Sequence, residues 1–243
     1  MVYMAASLPL YIAIPLMILL TVLLGFAIER VAYKPLRTAP RMSVMISAIG
    51  VSYLLQNLAL YITGGLNKNY PSIPWISDRI TVLGMETTRV TVITPFLTVA
   101  LVVALVLLIN HTKIGMAMRA AAKDFETAQL MGIKINAVIS MTFVIGSFLA
   151  AVASILYFSN YGQVSPMIGA MPGLKAFVAA VFGGIGSIPG AVIGAFIIGI
   201  CESFIKANEN IAVFSNAFTF ALLIIILLCK PNGLFGEKLT EKV

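Results

Sequence analysis

Between two long apolar stretches lies the polar run Arg119-Ala-Ala-Ala-Lys-Asp-Phe-Glu-Thr-Ala-Gln-Leu-Met-Gly132. Read as one helix over residues 115–133, it sets Met118, Ala121, Phe125, Ala128 and Gly132 on one face, at three- and four-residue steps. Arg119, Lys123 and Glu126 line another face, with Lys123 and Glu126 spaced to pair at i, i+3. Glu126, Ala128 and Gly132 follow an E-x-A-x-x-x-G pattern, flanked by Arg119 and Asp124. These residue types do not make or break bonds. Small residues beside a charged face suit docking along a membrane surface, in a groove of a partner protein, or against the chain's own helices. Two further groups are candidates. Gln56 and Asn57 are amides inside an apolar stretch, able to bond to neighbouring helices or to line a polar pathway. Gly183, Gly184, Gly186, Gly190 and Gly194 interrupt another. They suit either static close packing or a mobile break beside a pathway, since irregular backbone at membrane depth needs protein or a cavity next to it.

The elements that must position these residues are membrane spans. The chain has 243 residues, 60% hydrophobic and 10% charged, with mean hydropathy +1.02. A soluble domain carries about a quarter charged residues. Several apolar stretches reach the roughly 20 residues that cross a bilayer, and a barrel would instead alternate in segments of about ten. The expected fold is all-α, a polytopic transmembrane helical bundle in one domain, 1–243. Spans are expected near 8–28, 43–63, 90–110, 137–158 and 210–229, with a docking loop over 111–136. The region 174–204 is broken at its glycines, where Ser187 can cap a second helix and Pro189 suits its first turn. Its first arm, about ten residues or about 15 Å, is too short to cross. A hairpin there leaves the tail on the same side as the basic loops; a single broken crossing puts it on the other.

Lysines and arginines set the orientation. The loops after the first span (Arg30, Lys34, Arg37, Arg41) and the third (Lys113, Arg119, Lys123, Lys134) are basic and are expected in the cytoplasm. So is the tail, with Lys230, Lys238 and Lys242. Loops 66–89 and 159–173 then face outside. Trp75, in the former, is a headgroup-level anchor or a contact for a docking protein; His111 is expected at the interface. The net charge of +7 thus reads as topology and not as nucleic-acid binding. One histidine and two cysteines give no basis for a His-cluster metal centre or a disulfide framework, and neither metal nor cofactor is expected. No G-x-x-x-x-G-K-[ST] loop is present for a nucleotide. Ion-gradient carriers place ionisable residues inside their spans; the central parts of these spans have essentially none, although a glycine-interrupted span is common to carriers.

Longer motifs give a resemblance. They are Tyr33-Lys-Pro-Leu-Arg37, then Ser47-Ala-Ile-Gly-Val-Ser-Tyr-Leu-Leu-Gln-Asn57, then Met118-Arg-Ala-Ala-Ala through Met131-Gly-Ile133. Gly173-Leu-Lys-Ala-Phe-Val-Ala-Ala-Val-Phe-Gly-Gly-Ile-Gly-Ser-Ile-Pro-Gly-Ala191, with Glu202-Ser203 behind it, and Lys230-Pro-Asn-Gly-Leu-Phe-Gly236 follow. In this order, over essentially the whole chain, they resemble the LivH-type branched-chain amino acid permeases of ABC importers. The resemblance implies a non-catalytic inner-membrane subunit. Its implied partners are a second, similar permease subunit, separate ATPase subunits and an external substrate-binding protein, all around a lipid bilayer. It implies that Glu126, Ala128 and Gly132 belong to a cytoplasmic coupling helix seated in a groove of an ATPase, with Arg119 and Asp124 at the rim. Leucine, isoleucine or valine is the implied cargo; urea, amides or other amino acids are the alternatives within the family. Two departures stand out. Thr127 occupies a position where the family often has Ala, and relatives begin with further membrane segments, so the chain reads as N-terminally short.

Overall fold

The computed structural model describes residues 10–37, 39–70, 78–82, 85–184, 186–230 and 233–236. Trp75, residues 1–9, Ile185, Pro231, Asn232, Lys238 and Lys242 lie outside the described residues. The chain divides into two compact units, residues 1–166 and 167–243. Among the described residues, six helical stretches are long and apolar enough to cross a membrane: Tyr11–Leu36, Met42–Thr63, Arg89–His111, Ile135–Tyr161, Ile188–Lys206 and Ala212–Cys229.

The first unit contains α1 (Leu10–Ile28), α2 (Arg41–Thr63), α3 (Arg89–His111), the short α4 (Lys113–Lys123) and α5 (Phe125–Leu130), and α6 (Ile135–Tyr161). Helix α1 runs on through a π segment, Glu29–Tyr33, and a 3-10 turn, Lys34–Leu36. Pro40 then opens the way to α2, which stops at Gly64 in the left-handed region, φ +68°, with the N–H of Gly65 donating to Leu60 O at 3.1 Å.

Helices α1 and α6 pack antiparallel. At one end Ile14, Met17 and Ile18 lie against the cluster of Ile155, Tyr70 and Phe158. In the middle Gly25 presses on Ser147, whose side chain occupies the place a Cβ at Gly25 would take. At the other end Tyr33 tilts against Phe143, ring centroids 5.0 Å apart, and Ser140 Oγ donates to Glu29 Oε2 at 2.9 Å. A glycine at 25 is thus what lets the two backbones approach, the device that membrane helices favour.

Loop contacts sort to the two ends of this pair. The strand β1 (Lys68–Asn69) pairs antiparallel with the later strand β4 (Gln163–Val164), Lys68 opposite Val164 and Asn69 opposite Gln163, so the loops after α2 and α6 meet. Tyr70 stacks on Phe158 beside them, and burial holds its phenol above the ordinary tyrosine range. A second ladder, β2 (Arg79–Val82) with β3 (Met85–Thr88), precedes α3. At the opposite end Arg37 donates to Asn136, joining the loop after α1 to the start of α6.

The second unit contains α7 (Ala170–Gly183), α8 (Ile188–Lys206), a 3-10 turn, Ala212–Phe214, and α9 (Ser215–Cys229). Its core is Val178, Ala179, Phe182 and Ile198, packed against Phe220, Leu223 and Ile226 of α9 and against Leu234. With 14 residues, α7 is about 21 Å long, short of a roughly 30 Å hydrocarbon core.

Replacing Gly25 by Val is expected to cost about 1–3 kcal/mol through overpacking and to lower the thermal midpoint of the chain in lipid nanodiscs. Gly50→Val is the matched control, because nothing lies within 4 Å of a Cβ there, and its midpoint is expected to stay at the native value.

Candidate functional site

The polar segment begins at a tight corner. Thr112 caps α4, its Oγ1 accepting from Gly115 N at 3.1 Å and donating to Leu108 O at 2.5 Å. Gly115 lies so close to Ile109 that a Cβ would land on its backbone. Arg119 folds back across this corner, Nη1 to Asn110 Oδ1 at 3.3 Å and Nη2 to Asn110 O at 3.4 Å. In this chain Arg119 therefore braces the end of α3. Thr112, Gly115 and Asn110 carry no periodic signal; the only trace of them in the sequence is a T-x-x-G step at a charge boundary.

The expected single helix over 115–133 is two helices. Asp124 sits between them in extended backbone, φ −154° and ψ 113°. Its Oδ1 accepts from Glu126 N at 3.0 Å and Thr127 N at 3.1 Å, and its Oδ2 accepts from Thr127 Oγ1 at 2.6 Å. A short acceptor beside free helix-start N–H groups prefers capping to continuing the helix. The break removes the helical i, i+3 relation on which a Lys123–Glu126 pair would depend. Thr127 gains its hydroxyl bond from the same break.

Side chains then divide by face. Ala121 and Ala128 are buried, Ala128 at 4% exposure, and face the chain itself. Leu130 is 87%, Met131 79% and Phe125 53% exposed, with Glu126 exposed beside them. Gly132 has φ +83° and empty space around a would-be Cβ. It ends α5, Gly132 N donating to Gln129 O at 3.0 Å and Ile133 N to Ala128 O at 3.1 Å. The segment is thus anchored inward by alanines and offers an outward patch of Phe125, Glu126, Leu130 and Met131.

The glycine region forms a helical hairpin. A Cβ on Gly183 would strike Gly190 O, one on Gly194 would sit 2.7 Å from Ala179 O, and Lys175 Nζ reaches Glu202 Oε1 at 2.5 Å. These pairs step apart along α7 and α8 in opposite directions, so the helices run antiparallel. Ser187 caps α8 through Gly190 N at 3.2 Å. Gly184 and Gly186 take φ +112° and +99° in the turn. The stretch after α9 closes it: Leu234 N and Phe235 N donate to Phe182 O and Gly183 O, both at 3.0 Å, taking carbonyls orphaned at the end of α7. Gly233, φ +75°, fits against Gly184, where a Cβ would meet backbone at 2.6 Å. Glu202 is paired with Lys175 across the hairpin and with Lys206 at 2.6 Å.

Gln56 and Asn57 turn back on α2 itself, Gln56 Nε2 to Ser52 Oγ at 3.0 Å and Asn57 Nδ2 to Tyr53 O at 2.8 Å. Sequence reasoning also passed over a polar cluster. Glu29 is fully buried, paired with Arg37 and bonded to Ser140, and Arg37 also donates to Asn136. The available signal was a single acid in a strongly basic loop.

Helices of this length and apolarity, six among the described residues, define a polytopic helical membrane protein. A family model described as branched-chain amino acid transport system / permease component matches residues 1–227. The chain is 41% identical over 222 residues to the high-affinity branched-chain amino acid transport system permease protein LivH of Escherichia coli (strain K12), covering 90% of this chain and 72% of that one. It is 39% identical over 229 residues to BraD of Pseudomonas aeruginosa, described in the same words, covering 93% and 74%. A probable branched-chain amino acid transport permease protein LivH of Methanocaldococcus jannaschii is 26% identical over 242 residues, covering 93% and 74%. No solved structure matches. The chain belongs to the branched-chain amino acid transport permease family.

Removing the Asp124 side chain (Asp124→Ala) is expected to cost about 1 kcal/mol of local stability. Amide exchange at Glu126 and Thr127 should accelerate while exchange in α6 does not change. Gly194→Val pushes a side chain into the Ala179 carbonyl. It is expected to separate α7 from α8, read as faster amide exchange across both helices with the first unit unaffected.

Proposed function

We propose that this chain is the transmembrane subunit of an ATP-driven importer for branched-chain amino acids. In this reading segment 113–132 is its cytoplasmic coupling element. The observation that carries the reading is the two-faced build of that segment. Ala121 and Ala128 fix it to the chain, and Phe125, Glu126, Leu130 and Met131 face outward with an apolar patch framed by charge. Such a face fits a groove in a partner protein. The chain has no phosphate-binding loop of its own, so hydrolysis falls to separate ATPase subunits. The names of the relatives support branched-chain cargo.

Topology supports the same arrangement. The basic loop after α1 and the start of α6 meet through Arg37 and Asn136. The loops after α2 and α6 meet through β1 and β4. Each set thus shares an end of the α1–α6 pair, and the positive-inside rule assigns the Arg37 end to the cytoplasm. The broad exposed surface of α2, with Tyr53, Leu54, Tyr61 and Ile62, faces lipid or a second permease subunit. An external binding protein delivers substrate. Nucleotide-driven motion of the ATPases biases the bundle between two states, as any such switch requires.

The test is capture of the ATPase subunits by this chain in membranes, comparing native protein with Leu130→Asp plus Met131→Asp. Both positions are exposed, so the substitutions leave the chain's own packing intact, whereas any side chain at Gly132 strains a left-handed turn. Capture is expected to fall at least about tenfold, the scale of losing interface hot spots. Equal capture by both proteins would move the interface elsewhere, and no capture by inserted native chain would reopen the gradient-driven carrier.

A further inference from the structure

The polar cluster at the Arg37 end of α1, built around the buried Glu29, lies outside the exposed patch of the 113–132 segment. Glu29 lies wholly inside the protein, in the π segment. Arg37 Nη2 donates to its Oε1, and Arg37 Nη1 donates to Asn136 Oδ1. Ser140 Oγ donates to Glu29 Oε2 at 2.9 Å. Asn136 and Ser140 are four residues apart and so lie on one face of α6. Both fall in the first two turns of the helix, directly after the segment that ends at Gly132. The cluster therefore ties the polar segment's exit to the cytoplasmic-side end of the first span.

Stability alone does not account for it. A buried ion pair is desolvated at a cost that its attraction roughly offsets, and the close approach of Gly25 to Ser147 already brings the two helices together. Arg37 Nε is, in addition, buried without a hydrogen-bond partner, a further cost. What such a cluster supplies is a fixed relative position, because each bond has one geometry. The bonds at 29, 37, 136 and 140 fix the register of α1 against the start of α6.

We propose that Glu29, Arg37, Asn136 and Ser140 are positioning residues that make α1 and the 113–132 segment one moving body, so that displacement of the docking face is carried into the first span. The source of that displacement rests on the coupling reading above; the rigid link itself does not.

The test uses the full chain in lipid nanodiscs with Cys201→Ser and Cys229→Ser. Spin labels are placed at Val31→Cys and Gln129→Cys, both exposed and outside the cluster. Pulsed electron resonance should give one narrow distance distribution. Asn136→Ala plus Ser140→Ala cuts the link to α6 yet leaves Glu29 and Arg37 paired, so no buried charge is stranded; the distribution is expected to broaden. Glu29→Gln plus Arg37→Met is the second variant, with the same expectation. Without labels, in membranes holding the native ATPases and binding protein, uptake per ATP hydrolysed is expected to fall about tenfold for the Asn136 and Ser140 variant, the size of coupling that such a network carries. A merely structural role would lower uptake and hydrolysis together and leave their ratio alone. An unchanged distribution overturns the proposal, and so does broadening with uptake per ATP unchanged. If the native chain drives no ATP-linked uptake, the coupling reading falls, and the distance distributions still decide the link.

Discussion

Lipid tails are as apolar as leucine, so a helix in a bilayer gains little by moving its apolar surface from lipid onto another helix. What holds helices together there is close approach and a few directional bonds. In the first unit the approach is made at Gly25 against Ser147 and the bonds at Glu29, Arg37, Asn136 and Ser140. In the second unit the approach is made at Gly183, Gly190 and Gly194 and the bonds at Lys175 and Glu202. Each unit thus pairs a seam of small residues with a polar fastening at one end. The many exposed leucines, isoleucines and phenylalanines then need no partner within the chain, because lipid serves them equally well.

The same constraint governs the glycine-rich turn. A backbone that leaves helical geometry at membrane depth must still satisfy its carbonyls. Here the stretch at 234–235 donates to Phe182 and Gly183, and Ser187 accepts from Gly190. To open the break, the chain would have to lose those bonds and pull Gly233 from its seat on Gly184. The geometry is that of a packed hairpin, and any motion there has to begin by releasing the C-terminal stretch.

The fold class was legible because span length is a compositional property: long apolar runs can be counted without knowing what they touch. Asp124 was not legible in the same way. The stripe of Met118, Ala121, Phe125, Ala128 and Gly132 fits a continuous helix as well as two short ones, and a side chain's choice between capping and continuing is made by local hydrogen bonds that periodicity does not see. The break also changes which residues face outward. It leaves Ala128 inside and turns Leu130 and Met131 out. The polar cluster was still less visible. Arg37 meets Asn136 across 99 residues of sequence, and Ser140 meets Glu29 across 111. Nothing in a single sequence couples positions that far apart; only the folded α1–α6 pair does.

Force can pass through an element only if the element is stiff between its two ends. Segment 113–132 has the features that stiffness requires. Thr112 and Arg119 fix its entry, Asp124 locks the angle between its two helices, Gly132 fixes its exit, and Ala121 and Ala128 seat it against the chain. A single long amphipathic helix would have needed none of these and would have been free to roll about its own axis. The kink at Asp124 prevents rolling, because two short helices at an angle cannot turn about one axis together. The departure from a regular helix is therefore what gives the segment a fixed outward face, which the proposed coupling role requires.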